Sequence, residues 1–147
     1  MNTDKCWGRS PAWYLDARER DLFEAAVRHH CPDVEAMIMS KGYVLRFSVD
    51  VDHYERRRIE VVFVGTDVAV FADGPRESKH RYTNGALCMW YPSDPVNRRW
   101  VHNYGAECLI EVIRRHLFLE AYWRETDHWV AEEAPHNAPR AGRKTIR

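Results

Sequence analysis

The sequence predicts an α+β fold in which an N-terminal helix, a four-stranded antiparallel meander, a long ordered loop and a C-terminal helix follow one another. Two segments of helical period bracket a region whose apolar residues alternate with period two, and turn signals divide that region into four short strands. A sheet of this kind buries one face and needs helices to cover it.

The first helix is read in "SPAWYLDARERDLFEAAVRHHCP". Ser10 suits the N-cap, Pro11 suits the first turn, where its missing N–H costs nothing, and Pro32 ends the pattern. Leu15, Leu22, Phe23, Ala26 and Val27 form the expected apolar stripe. Arg18, Glu19, Arg20, Glu24 and Arg28 form a charged face, either solvated or available to a protein partner. From Val34 the period changes to two, and "VEAMIMSKG" closes on a turn signal. In "YVLRFSVDVD", Tyr43, Leu45, Phe47, Val49 and Val51 point to one side, with Arg46, Ser48, Asp50 and Asp52 on the other. "RIEVVFV" and "DVAVFA" follow, split by a Gly65-Thr66 turn, and Gly74-Pro75 closes the series.

Residues 75–100 show no regular period. They carry Tyr82, Leu87, Met89, Trp90, Tyr91 and Trp100, too apolar a set for disorder, so an ordered loop packed on the sheet is expected. The second helix is read in "VHNYGAECLIEVIRRHLFLEAYWRETDHWV" and runs to Glu125 or near it. Cys108, Leu109, Val112, Ile113, Leu117 and either Phe118 or Leu119 supply its buried stripe. One domain over residues 1–136 is expected, with a basic, flexible tail over 137–147.

A chain of 147 residues supports one domain with a hydrophobic core and is short for two. Its 22 basic residues balance 22 acidic ones, so no global field favours nucleic acid or an anionic membrane. Trp residues scattered through helices and loop do not form a stacking platform for single strands. No secretory leader and no apolar run long enough to span a bilayer are read, which predicts a cytoplasmic protein with reduced cysteines. No cofactor and no metal are expected. Zinc ligands come in spaced pairs, whereas His29, His30 and Cys31 are consecutive and His102 and Cys108 fall on different faces of a helix.

The residues leave two readings of Cys88 open. A free cysteine is often a small buried hydrophobe. This one, however, sits in a loop, just after Gly85, whose backbone freedom allows a turn that would expose the thiol. Its aromatic neighbours could line a shallow dry groove for an extended peptide tail. His80 either orients the loop through backbone hydrogen bonds or acts as a base toward the thiol. A hydrolase would need a His within hydrogen-bond reach of the sulfur and an orienting Asn or Asp, for which His136 and Asn84 are the respective candidates.

The element order resembles the ubiquitin-conjugating-enzyme fold. The local residues are similar to its bacterial branch, associated with cyclic-oligonucleotide antiphage signalling (CBASS) and related operons. The pattern is His80-x-Tyr82-x-x-Gly85-x-Leu87-Cys88, then Pro92, Trp100, a helix with Glu120 and Trp123, Trp129, and "EEAPH" ending in His136. The resemblance implies an acyl transferase in which Cys88 takes a C-terminal glycyl group as a thioester, His80 shapes the loop, and Tyr82, Gly85 and His136 support it. The thiol would be exposed, with no strong base beside it. Arg81 and Tyr82 stand where the eukaryotic His-Pro-Asn motif has Pro and Asn, so the oxyanion would fall to backbone N–H groups, to the Tyr82 hydroxyl or to no group at all. The partners implied are proteins: a cGAS/DncV-like nucleotidyltransferase (CD-NTase) or a ubiquitin-like protein as donor, and in some systems a separate activating enzyme. A non-catalytic binding module of the same fold and a cysteine hydrolase are the alternative readings.

Overall fold

The structure is a computed structural model and describes residues 12–131, apart from 76 and 92. Helix α1 spans Ala17–His30 and helix α2 spans Gly105–Thr126. Between them lie strands β1 (Glu35–Met39), β2 (Gly42–Val49), β3 (Arg57–Val64) and β4 (Asp67–Ala72). The strands pair in sequence order, β1-β2-β3-β4, and each pair is antiparallel, the meander that the alternation predicts.

The register follows the pleat. Tyr43, Leu45, Phe47 and Val49 of β2 lie beside Ile59, Val61 and Phe63 of β3 on one buried face, with Val70 of β4 continuing the row. A one-residue slip would turn every one of these side chains to solvent. Gly42 opens β2 because a Cβ there would meet the Phe63 carbonyl oxygen at 2.6 Å. Phe23 and Val27 from α1, Leu109, Ile110, Ile113 and Leu117 from α2, and Leu87 and Trp100 from the long loop complete the core. The loop is thus ordered by the apolar residues that the sequence places in it.

Helix α1 differs from expectation at its start. Asp16 is the N-cap, its carboxylate accepting hydrogen bonds from the Arg18 and Glu19 N–H groups at 2.8 and 3.2 Å. Trp13–Leu15 forms a separate 3-10 turn, and the expected Ser10 and Pro11 start lies outside the described residues. The buried stripe is also narrower than expected, and Ala26 is exposed. Phe23 and Val27 are buried, but Leu15 and Leu22 are 68% and 57% exposed. Leu15 belongs to the 3-10 turn and not to the helical stripe. Leu22 sits one step, 100°, around the helix from Phe23. Helix α2 ends one residue beyond the expected point, and Asp127, at φ 63°, turns the chain back toward the loop.

Candidate active site

The loop after β4 is held by backbone bonds that the sequence makes possible locally. The Leu87 N–H donates to the Val70 carbonyl at 2.8 Å, pinning the loop to β4, while the Leu87 side chain enters the core. The segment from Arg81 to Leu87 folds back on itself as a small antiparallel hairpin. In it Tyr82 N–H donates to the Ala86 carbonyl at 2.9 Å and Gly85 N–H to the Tyr82 carbonyl at 2.9 Å. Gly85 adopts φ 90°, a conformation open to glycine and strained for other residues. Asn84 Oδ1 accepts from the Ala86 N–H at 3.0 Å, so its side chain closes its own turn.

Cys88 follows directly. Its N–H donates to the His80 carbonyl at 2.8 Å, which brings the two ends of the motif together. His80 itself has φ 59°, a left-handed conformation that costs a non-glycine residue about 1–2 kcal/mol. Such strain persists where the surroundings over-determine the backbone. Here the surroundings include Trp129, whose ring centroid lies 4.3 Å from that of His80 as the chain returns from α2.

The thiol is not where the sequence expectation put it. Cys88 is only 5% exposed, a buried thiol. Burial pushes its pKa above the ordinary thiol value. A hydrogen bond from Tyr82 works in the opposite direction, and the Asp94 carboxylate adds to the rise. The Tyr82 hydroxyl is raised in turn, by burial first and then by its hydrogen bond with Cys88. It also donates to the Trp90 carbonyl at 2.7 Å. One phenolic proton therefore faces two acceptors, the Trp90 carbonyl and the Cys88 sulfur. Asp94 is fixed by the Tyr91 N–H, which donates to its Oδ2 at 2.8 Å.

Beneath the loop lies a buried polar cluster that the sequence reading did not assemble. Arg81 donates to both oxygens of Glu120, Nη2 to Oε1 at 2.7 Å and Nε to Oε2 at 3.0 Å, with side chains 4% and 0% exposed. Arg124 also donates to Glu120 Oε1, at 3.0 Å, and to Ser78 Oγ at 2.8 Å. Burial opposes ionisation of Glu120, but the Arg81 hydrogen bonds and charge outweigh it and hold the carboxyl below its ordinary value. His116, one turn earlier on α2, has Nε2 3.7 Å from Glu120 Oε2. Burial lowers its pKa to about 4, so it is neutral at pH 7. A signal for this cluster was present: His116 and Glu120 lie in phase with Leu109, Ile113 and Leu117, on the face that an apolar stripe buries.

Of the sequence-predicted residues, His80, Tyr82, Gly85 and Cys88 meet in one loop, and His136 lies outside the described residues. The family model for the type II CBASS E2 protein matches residues 16–137, a span that takes in both helices, the sheet and this loop. The chain belongs to the type II CBASS E2 family. Searches of curated proteins and of solved structures gave no significant match. A CBASS E2 protein works with protein partners of its own system, and in this one no described helix is long and apolar enough to cross a membrane.

Proposed function

We propose that this CBASS E2 protein is an acyl transferase in which Cys88 carries the C-terminus of a CD-NTase or a ubiquitin-like protein as a thioester and passes it to a target. The observation that carries this reading is the seating of a single thiol in a strained, hydrogen-bonded loop, with a phenol hydroxyl on its sulfur, in a chain of this family. The donor arrives as an activated C-terminal acyl group. The Cys88 sulfur attacks its carbonyl carbon, the S–C bond forms, and the activating group leaves with the thiol proton. An acceptor amine then attacks the same carbon. The C–N bond forms, the C–S bond breaks, and the departing thiolate takes up the proton lost by the amine.

Tyr82 serves both steps in this reading. While the sulfur is a thiol, the phenolic proton rests on the Trp90 carbonyl; once the thiolate forms, the proton turns to the sulfur. With the sulfur acylated, the same hydroxyl is the side-chain donor available to the developing oxyanion, at the place of the asparagine in the eukaryotic motif. Asp94 opposes the resting thiolate and attracts a lysine ammonium, which must give a proton to solvent before its amine attacks, so an amine is the expected acceptor class. Because Cys88 is buried, partner docking must open the loop before the first step.

Co-expression with the neighbouring CBASS proteins, followed by intact-mass analysis, tests the reading. A dithiothreitol-cleavable adduct is expected in the wild type, in Cys31→Ala and in Cys108→Ala, and none in Cys88→Ala. The 5% exposure of Cys88 favours a second reading, a binding module of the same fold without chemistry. In that case Cys88→Ala retains function, and charge reversal at Arg18, Glu19 and Arg28 on α1 abolishes it. A cysteine hydrolase would instead release product with no lasting adduct.

A further inference from the structure

We propose that Glu120 is a positioning residue, whose carboxylate grips Arg81 and thereby sets the 80–88 loop in the arrangement that seats Cys88. For conjugation this rests on the reading of Cys88 as the acyl carrier; for the shape of the loop it stands alone.

The two charges are separated by 39 positions in sequence and meet by two parallel hydrogen bonds inside the protein. The fork of a guanidinium matches a carboxylate in one plane and one orientation, so the pair fixes direction as well as distance. Arg81 is flanked on both sides by site residues: His80, whose carbonyl receives the Cys88 N–H, and Tyr82, whose hydroxyl meets the sulfur. It is also the residue that bridges to Leu87 across the small hairpin, and its Nη1 points to the Gly85 carbonyl at 3.4 Å. Whatever holds Arg81 therefore holds both strands of the hairpin and the start of Cys88.

Glu120 is well suited to be that anchor. It sits on a 22-residue helix whose neighbouring turns are buried in the core, so it cannot follow the loop if the loop moves. Arg124 binds the same Oε1 and ties Ser78, upstream of His80, to the carboxylate as well. The loop is thus gripped twice, before and after His80, from one acidic side chain.

The test is site-resolved alkylation of the native protein with iodoacetamide, read by peptide mass, in wild type, Glu120→Gln and Arg81→Lys. Neither variant can keep the charged, bidentate contact, and both retain polar groups at the site. Cys88 is expected to react at least about tenfold faster in both, because local opening of the loop replaces opening against the grip. Cys31, a core thiol, reports global opening, so the ratio of the Cys88 rate to the Cys31 rate should rise in both variants. Leu109→Ala, brought to the same melting temperature by adding urea to the others or to it, supplies the control for stability alone and should leave the ratio of Cys88 to Cys31 rates unchanged. Equal ratios in Glu120→Gln, Arg81→Lys and that control would overturn the proposal. Adduct formation measured in parallel separates the two claims: faster Cys88 alkylation in the variants, with a wild-type adduct that persists in Cys88→Ala, upholds the grip and counts against Cys88 as the acyl carrier.

Discussion

Acidification from pH 7 to pH 5 should weaken the fold through His116. Its imidazole is 6% exposed and faces Glu120, Arg81, the His80 backbone and the Trp129 ring. Burial lowers its pKa from 6.5 in the unfolded chain to about 4 in the folded one. Between those values the unfolded state binds the proton and the folded state does not, so stability falls as pH falls. At pH 5 the unfolded chain is stabilised by about 2 kcal/mol relative to pH 7, and below pH 4 the loss approaches roughly 3 kcal/mol. Glu120 and Asp33, whose carboxyls are held below their ordinary values, add losses that begin only as pH falls toward those values, 4.5 and 3.8, below the pH 7 to 5 range of the experiment. Urea unfolding at pH 7, 6 and 5 reads the effect as a drop in midpoint with unchanged slope. The His116→Gln variant cannot take up this proton, and its midpoint should move by less than half as much. If the wild type and His116→Gln lose the same stability between pH 7 and pH 5, the burial argument for His116 is wrong.

Three further perturbations follow from the site. Glu120→Leu leaves the Arg81 guanidinium buried without its partner and should cost about 3–5 kcal/mol in urea unfolding, whereas Arg81→Met combined with Glu120→Leu should recover most of that loss. Tyr82→Phe removes the donor on the sulfur. Adduct formation should fall by about 10²–10³ if the hydroxyl is the oxyanion donor, and the pH at which Cys88 begins to alkylate should rise, since the Tyr82 bond now lowers it. Leu87→Ala empties a core position that pins the loop to β4 and should cost about 2–5 kcal/mol by calorimetry or denaturant.

The meander was legible because its signal is local and periodic: Tyr43, Leu45, Phe47 and Val49 alternate, and the buried face is the one they define. The start of α1 was less so. Ser10 and Asp16 are both acceptable caps; with Asp16 as cap, Leu15 falls in the preceding 3-10 turn, and Leu22 lies to one side of the narrow Phe23 and Val27 stripe. At the site, Gly85 and the apolar loop pointed to Cys88, but its burial and its contacts with Tyr82 and Asp94 are tertiary features that no spacing records. The Arg81–Glu120 pair was hidden for a different reason. Charged residues are ordinarily read as surface, and pairing across 39 positions leaves no local pattern. Only the position of Glu120 on the phase of the buried stripe betrayed it.

The central claim is that Cys88 carries the donor's C-terminus. It is tested most directly with the Cys88→Ser variant, which should trap a stabler oxyester when the protein is co-expressed with its CBASS partners. Tandem mass spectrometry should then find the donor's last residue joined to the peptide that contains position 88, in an ester that hydroxylamine cleaves and dithiothreitol does not. An adduct mapped to any other residue, or undiminished adduct in Cys88→Ala, would contradict the account.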